Sequence, residues 1–218
     1  MLGSPGVGKG TQARRLAVET GGAPISTGEI LRDAAARATP LGLEARHAME
    51  AGRLVDDAVM IGLVRERLAE ADARPGFVLD GFPRTVPQGE ALDALLAERG
   101  QELDAVLCLA VEEDELVRRL RGRLECPVCL RAYHVTGLPS RDGVHCDDHP
   151  DAVLRPRADD SAEAIHRRFE EYRTKTAPLV ESYTARGLLR SVSGAGSVDE
   201  VHRALLRELN LTPRVERT

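Results

Sequence analysis

"GSPGVGKGT", residues 3–11, is the stretch on which the reading of this chain turns. Gly3 to Lys9 fits the spacing G-x-x-x-x-G-K, in which successive backbone N–H groups and a helix N-terminus face phosphate oxygens while the lysine neutralises their charge. The rival reading is a glycine-rich turn that happens to precede a lysine. Residue usage weighs against that: of 30 basic residues only Lys9 and Lys175 are lysines, so a chain that otherwise uses arginine puts a compact point charge where a phosphate cradle needs one. The position after Lys9, commonly Ser or Thr for Mg²⁺ binding, is Gly10, and the hydroxyl follows at Thr11.

Outward from the loop, residues 9–20 read as a helix ended by Gly21 and Gly22, followed by a short strand around Pro24 and Ile25. "STGE" (26–29) has the pattern of a capping box, with Ser26 accepting from the backbone and Glu29 reaching back. "PLGLEARHAMEAGRL" continues as helix, Asp56 or Asp57 caps "DAVMIGLVRERLAEA", and "GFVLD" is a short buried strand. The alternation repeats through "PQGEALDALLAER", "DAVLCLAV", "EDELVRRLRG", "LLRSV" and "SVDEVHRALLREL", the pattern of an α/β fold with a doubly wound parallel sheet. Residues 122–158 break the rhythm with prolines, glycines and cysteines, and a long helix begins near Asp160. The expected organisation is one domain with two inserts: a core of 1–25, 56–121 and 159–218, a first insert at 26–55 and a second at 122–158. "TPRVERT" reads as a frayed tail.

With 218 residues, 42% of them apolar, and a net charge of −5, the chain can bury a core and lacks the global basic excess of a nucleic-acid binder. The cluster "RRLRGR" (118–123) would otherwise suggest RNA, but aromatic stacking platforms are missing. No apolar run approaches the roughly 18 residues of a membrane helix. A cytoplasmic monomer with small-molecule substrates is expected, with no membrane or nucleic-acid partner.

The acceptor side is read from "STGEILR" (26–32) and "LDGFPRT" (79–85). Asp80 ends a strand beside the phosphate loop, where a carboxylate can organise the waters of Mg²⁺. Arg32 and Arg84 are candidates to clamp a second phosphate. Tyr133 with Ala132 is a further candidate in the second insert, although packing is the commoner use of a tyrosine.

Three of the four cysteines crowd one segment, in the spacing C-x2-C-x16-C-x2-H from Cys126, Cys129 and Cys146 to His149. Each short pair makes a turn presenting two ligands, and the long loop folds one turn onto the other, which is a tetrahedral Zn²⁺ pattern with all four positions filled by protein and therefore structural. His145, Asp147 and Asp148 are near enough to compete. Cys108 sits in an apolar strand and is expected to pack.

Taken together, "GSPGVGKGT", "STGEILR", "AGRLVDD", "DGFPRT" with Gln88, "GRLECPVC…YH", "RPRADD" and "RRFEEY" resemble, in order and over nearly the whole chain, the adenylate kinases of the long, zinc-bearing bacterial type. The resemblance implies reversible transfer of the γ-phosphoryl group of MgATP to AMP, giving two ADP. It implies that Gly6, Val7, Gly8, Lys9, Gly10 and Thr11 cradle the ATP phosphates, with Arg119 near the ATP base and Ala132, Tyr133 and Gly196 also on the ATP side. It assigns AMP to Thr27, Arg32, Arg53, Leu54, Val55, Gly81, Phe82, Pro83, Arg84 and Gln88, with Gln88 reading the adenine edge, and it makes Arg123, Arg157 and Arg168 converge on the phosphates. Lys9 and the arginines at 84, 123, 157 and 168 are then the catalytic set. The chain departs from the pattern at "TGLPSRDG" (136–143), which lacks an Asn-Pro-Pro turn, and at His149, where Cys or Asp is commoner. The alternatives are the same fold acting on UMP or CMP, against which Thr27 and Gln88 argue, and a non-catalytic zinc-bearing paralogue.

One expectation concerns the first strand. Only Met1 and Leu2 precede Gly3, whereas a buried central strand needs roughly five residues. A truncated first strand is therefore expected, with a natural start upstream, the alternative being a tolerated stub.

Overall fold

The computed structural model of the protein describes residues 1–37 and 40–212; the predicted tail lies outside them from Pro213 onward. In chain order the strands are β1 (Leu2–Gly3), β2 (Ala23–Ser26), β3 (Phe77–Asp80), β4 (Val106–Ala110), β5 (Arg123–Glu125), β6 (Ala132–His134), β7 (Arg155–Pro156) and β8 (Leu189–Ser193). The helices are α1 (Lys9–Thr20), α2 (Thr27–Ala36), α3 (Pro40–Glu50), α4 (Asp57–Ala69), α5 (Val86–Glu98), α6 (Glu113–Arg121), α7 (Ala162–Glu171), α8 (Pro178–Ala185) and α9 (Val198–Glu208). A π-helical turn, Tyr172–Thr176, joins α7 to α8.

The core strands pair in parallel, as two ladders in the order β1-β4-β8 and β2-β3. β1 contributes only two residues, Leu2 opposite Cys108 and Gly3 opposite Leu109. Across the seam between the ladders the Met1 amine donates to the Leu79 carbonyl at 2.8 Å. β4 is buried over four of its five residues, as a strand covered by helices on both faces must be. One apolar layer gathers Ile25, Met60, Val64, Leu79, Leu92 and Leu96, and the other gathers Val7, Leu16, Leu109, Leu116, Phe169 and Leu205. Truncating one of these leucines to alanine costs about 2–5 kcal/mol. Between β4 and α7 the excursion forms its own antiparallel sheet, β6-β5-β7, over a small core containing Cys126, Tyr133, Cys146 and Leu154.

One local expectation fails. The capping box at 26–29 does not form: no side chain caps α2 at Ser26, whose hydroxyl reaches Asp80 Oδ2 at 3.5 Å, while Glu29 pairs with Arg14 at 2.5 Å. Ser26 closes the β2 ladder opposite Asp80, and that register turns it to the strand end. The box appears instead at α9, between Ser197 and Glu200. Phe82, expected at the acceptor site, is 1% exposed and packs into the core layer of Leu79 and Leu92.

Candidate active site

The phosphate loop leaves β1 and enters α1 through Gly8, whose φ of 99° belongs to the left-handed region that glycine adopts without strain. No side chain caps this helix start, so its N-terminus is left to a ligand. Lys9 Nζ folds back on its own loop, donating to the carbonyls of Gly3 at 2.7 Å and Ser4 at 3.0 Å. Asp80 closes the other side: a Cβ on Gly10 would lie 3.1 Å from its Oδ2. Burial lowers the Lys9 pKa to about 8, against the opposing pull of Asp80. The sign follows: below pH 8 the free enzyme carries the cation, and above it the cation is lost. kcat/KM is expected to fall above about pH 8, whereas kcat turns down at higher pH because bound phosphate favours the protonated amine. A kcat/KM profile flat to pH 10 would contradict this role for Lys9.

Beside the loop lies a cleft with about 1000 Å³ of empty space, part of it open to solvent. Lys9, Thr27, Arg32, Arg53, Leu54, Val55, Gly81, Pro83, Arg84, Gln88, Arg157 and Arg168 all line it. β3 delivers the central segment, and at Gly81 (φ 82°) a Cβ would stand 2.7 Å from Thr27 Oγ1, so the turn admits only glycine. Thr27 Oγ1 donates to the Gly81 carbonyl at 2.9 Å and Arg84 Nε to the same carbonyl at 2.9 Å. Thr176, in the π-helical turn, donates to the Arg84 carbonyl at 2.8 Å. Burial lowers the Arg84 pKa. A desolvated guanidinium so held is poised for an anion.

The remaining arginines are held by carboxylates that the sequence reading did not assign. Asp160 accepts from Arg123 Nε at 2.7 Å and Nη2 at 2.5 Å, and from Arg168 Nη1 at 2.8 Å. Asp159 accepts from Arg157 at 2.9 and 2.7 Å. These arginines hold the Asp159 carboxyl well below its usual range despite the opposing effect of burial. Glu125, 6% exposed on β5, lies 3.3 Å from Arg32 Nε and 3.7 Å from Arg157 Nε, so an ion pair crosses from the second insert to α2. Burial lowers the pKa of both Arg32 and Arg168 to about 10. The six cations Lys9, Arg32, Arg84, Arg123, Arg157 and Arg168 outnumber Asp80, Glu125, Asp159 and Asp160, leaving positive charge for phosphates. The doublet "DD" at 159–160, one residue beyond Arg157, was the available signal for two of these partners.

Other expected residues sit elsewhere. Arg119 is engaged by Glu115 at 2.7 Å on α6, and Gly196 lies beside Glu200 at the start of α9. Neither they nor Arg123, Ala132 and Tyr133 are among the residues lining the cleft. Tyr133 turns its side chain into the core of the second insert. It is 3% exposed, its hydroxyl is 3.4 Å from Cys146 Sγ and accepts from the Asp147 N–H at 3.0 Å, and Arg131 lies over its ring at 5.2 Å. The small lid core needs this aromatic body.

Cys126, Cys129, Cys146 and His149 come together, each offering one ligand atom, with all four within 4.8 Å of one another. Cys129 Sγ to Cys146 Sγ and Cys146 Sγ to His149 Nδ1 are both 3.7 Å. A tetrahedron with metal–sulfur bonds of about 2.3 Å has edges of about 3.8 Å, so the donor set fits a tetrahedral metal ion. The competing neighbours are engaged elsewhere: His145 with Asp142 at 2.7 Å, Asp148 with Arg131 at 2.6 Å, and Asp147 with the Arg141 N–H at 2.8 Å. Cys108 is buried in β4 as expected.

A model of the adenylate kinase family matches residues 1–188. Among curated relatives, the adenylate kinase of Thermodesulfovibrio yellowstonii is 48% identical over 204 residues, 94% of each chain. That of Citrifermentans bemidjiense is 48% identical over 206 residues, covering 94% of this chain and 96% of its own. That of Acidothermus cellulolyticus is 49% identical over 202 residues, 92% of each.

Proposed function

Because this chain belongs to the adenylate kinase family, we propose that its cleft transfers the γ-phosphoryl group of MgATP to AMP, reversibly, giving two ADP. The observation that carries the reading is the meeting of Lys9, Arg84, Arg157 and Arg168 with the buried Gln88 around one cleft. An AMP phosphate oxygen forms the new bond to the γ-phosphorus as the bond to the ADP leaving oxygen breaks. Charge in the loose transition state spreads over the transferring oxygens, so positioned cations suffice and no general base is assigned. Lys9 sits on the transferring group. Arg84 holds the acceptor phosphate, and Arg123, Arg157 and Arg168, aligned by Asp159 and Asp160, close on it from the other side. Mg²⁺, when bound with ATP, neutralises its β- and γ-phosphates, and Asp80 is the residue placed to hold that ion's waters.

The inserts 26–55 and 122–158 close over the nucleotides as bodies, with Glu125 and Arg32 meeting only when both are in. Closure excludes water. No helix among the described residues is long and apolar enough to cross a membrane. ADP formation with AMP, UMP and CMP as separate acceptors tests the substrate: AMP is expected to be strongly preferred, and equal turnover of UMP or CMP would sink that preference.

The metal of the second insert is Zn²⁺ in a structural role, since Cys126, Cys129, Cys146 and His149 fill a tetrahedron and leave no open position. About one zinc per chain is expected, and chelation should lower the melting temperature of the lid before it abolishes turnover. Metal-free protein after purification without chelator, or unchanged melting after complete removal, would contradict this.

A further inference from the structure

Asp57 has no task in the helix it opens. Its neighbour Asp56 caps α4, accepting from the N–H groups of Ala58 at 2.9 Å and Val59 at 3.4 Å. Both oxygens of Asp57 go instead to the acceptor loop: Oδ1 accepts from Gln88 Nε2 at 2.7 Å and Oδ2 from Thr85 Oγ1 at 2.8 Å. Gln88 is 2% exposed yet borders the cleft, and its Oε1 accepts from the Arg84 N–H at 2.7 Å.

From this geometry we infer that Asp57 is a specificity-determining residue: it fixes the Gln88 amide in one of its two orientations, so that the cleft reads a 6-aminopurine and rejects a 6-oxopurine. The inference rests on AMP being the acceptor. A carboxylate only accepts and a backbone N–H only donates, so turning the amide over would set its carbonyl against Asp57 and its NH₂ against Arg84. Two short hydrogen bonds would become two repulsions. In the orientation observed, one amide N–H and one carbonyl lone pair remain unspent. A 6-aminopurine offers the complement, an acceptor at N1 and a donor at the 6-amino group. A 6-oxopurine presents the reverse, a donor at N1 and an acceptor at O6, which a locked amide cannot match. Base size plays no part, since the two rings differ only at that edge.

The experiment compares kcat/KM for AMP and IMP, with MgATP as donor, in the unaltered protein and in Asp57→Asn. The unaltered protein is expected to favour AMP by about 10²-fold or more, because a site built to hydrogen-bond rejects a mismatched partner strongly. Asparagine keeps the shape but can turn either face to Gln88, leaving Arg84 alone to oppose the flip, so the AMP-to-IMP ratio should fall about tenfold, the worth of roughly one hydrogen bond. A purely structural loss would lower both rates by one factor and leave the ratio unchanged, which overturns the inference. Should Asp57→Asn fail to fold, the unaltered protein is tested with purine riboside monophosphate, which keeps N1 and lacks the 6-amino group. Activity between those of AMP and IMP is expected, and activity equal to that of IMP overturns the lock. A protein that uses AMP and IMP alike defeats this inference alone, whereas one that forms no ADP from AMP defeats the activity and the inference with it.

Discussion

Lys9→Met is expected to lower turnover of MgATP with AMP by about 10³-fold or more while the fold survives, because the charge it removes acts on the transferring phosphoryl group. The side chain that replaces it keeps the length and apolar body of lysine and loses only the two bonds to Gly3 and Ser4 within the loop. Lys9→Arg should fail as well. Nζ reaches its loop carbonyls as a single point, and a planar guanidinium cannot occupy the same cradle. Circular dichroism and melting temperature verify the fold, and near-normal turnover in a folded Lys9→Met protein would remove the loop from the mechanism.

Arg84→Ala is the second large effect, expected at about 10²- to 10³-fold in kcat, the cost of removing one preorganised donor from a developing charge. Arg84 is held at three points: its guanidinium Nε donates to the Gly81 carbonyl, its backbone N–H donates to Gln88 and its backbone carbonyl accepts from Thr176. That rigidity means the loss cannot be made up by a neighbouring arginine moving in. Arg84→Lys should recover little, since the fork geometry is lost with the guanidinium. Rates within about tenfold of the parent for a folded Arg84→Ala protein, well short of the loss expected for such a donor, would place the acceptor phosphate elsewhere.

The parallel layers were legible because β3 and β4 are continuous apolar runs between helical periods, and such runs have few other uses. The grouping of three cysteines and a histidine was legible for a different reason: a tetrahedral site calls for close pairs, and Cys126 with Cys129 and Cys146 with His149 carry that constraint in their spacing. What the sequence hid are partners set by tertiary approach. Nothing local says that Glu125 will face Arg32, ninety-three residues earlier in the chain, or that Asp57 rather than Asp56 will leave its helix for Gln88. Ser26 misled because a capping pattern and a strand-end register compete for the same hydroxyl, and the register with Asp80 won. The partners of the Tyr133 hydroxyl, Cys146 and Asp147, were hidden in the same way, because they are set by the folding of the second insert onto its own small core.

The most direct test is the stoichiometry of nucleotides after mixing purified protein with MgATP and AMP. Two ADP should form for each AMP consumed, with no inorganic phosphate released, and ADP alone should disproportionate to ATP and AMP. ATP consumption that yields ADP and phosphate while AMP stays intact, or no change in any nucleotide, would contradict the account.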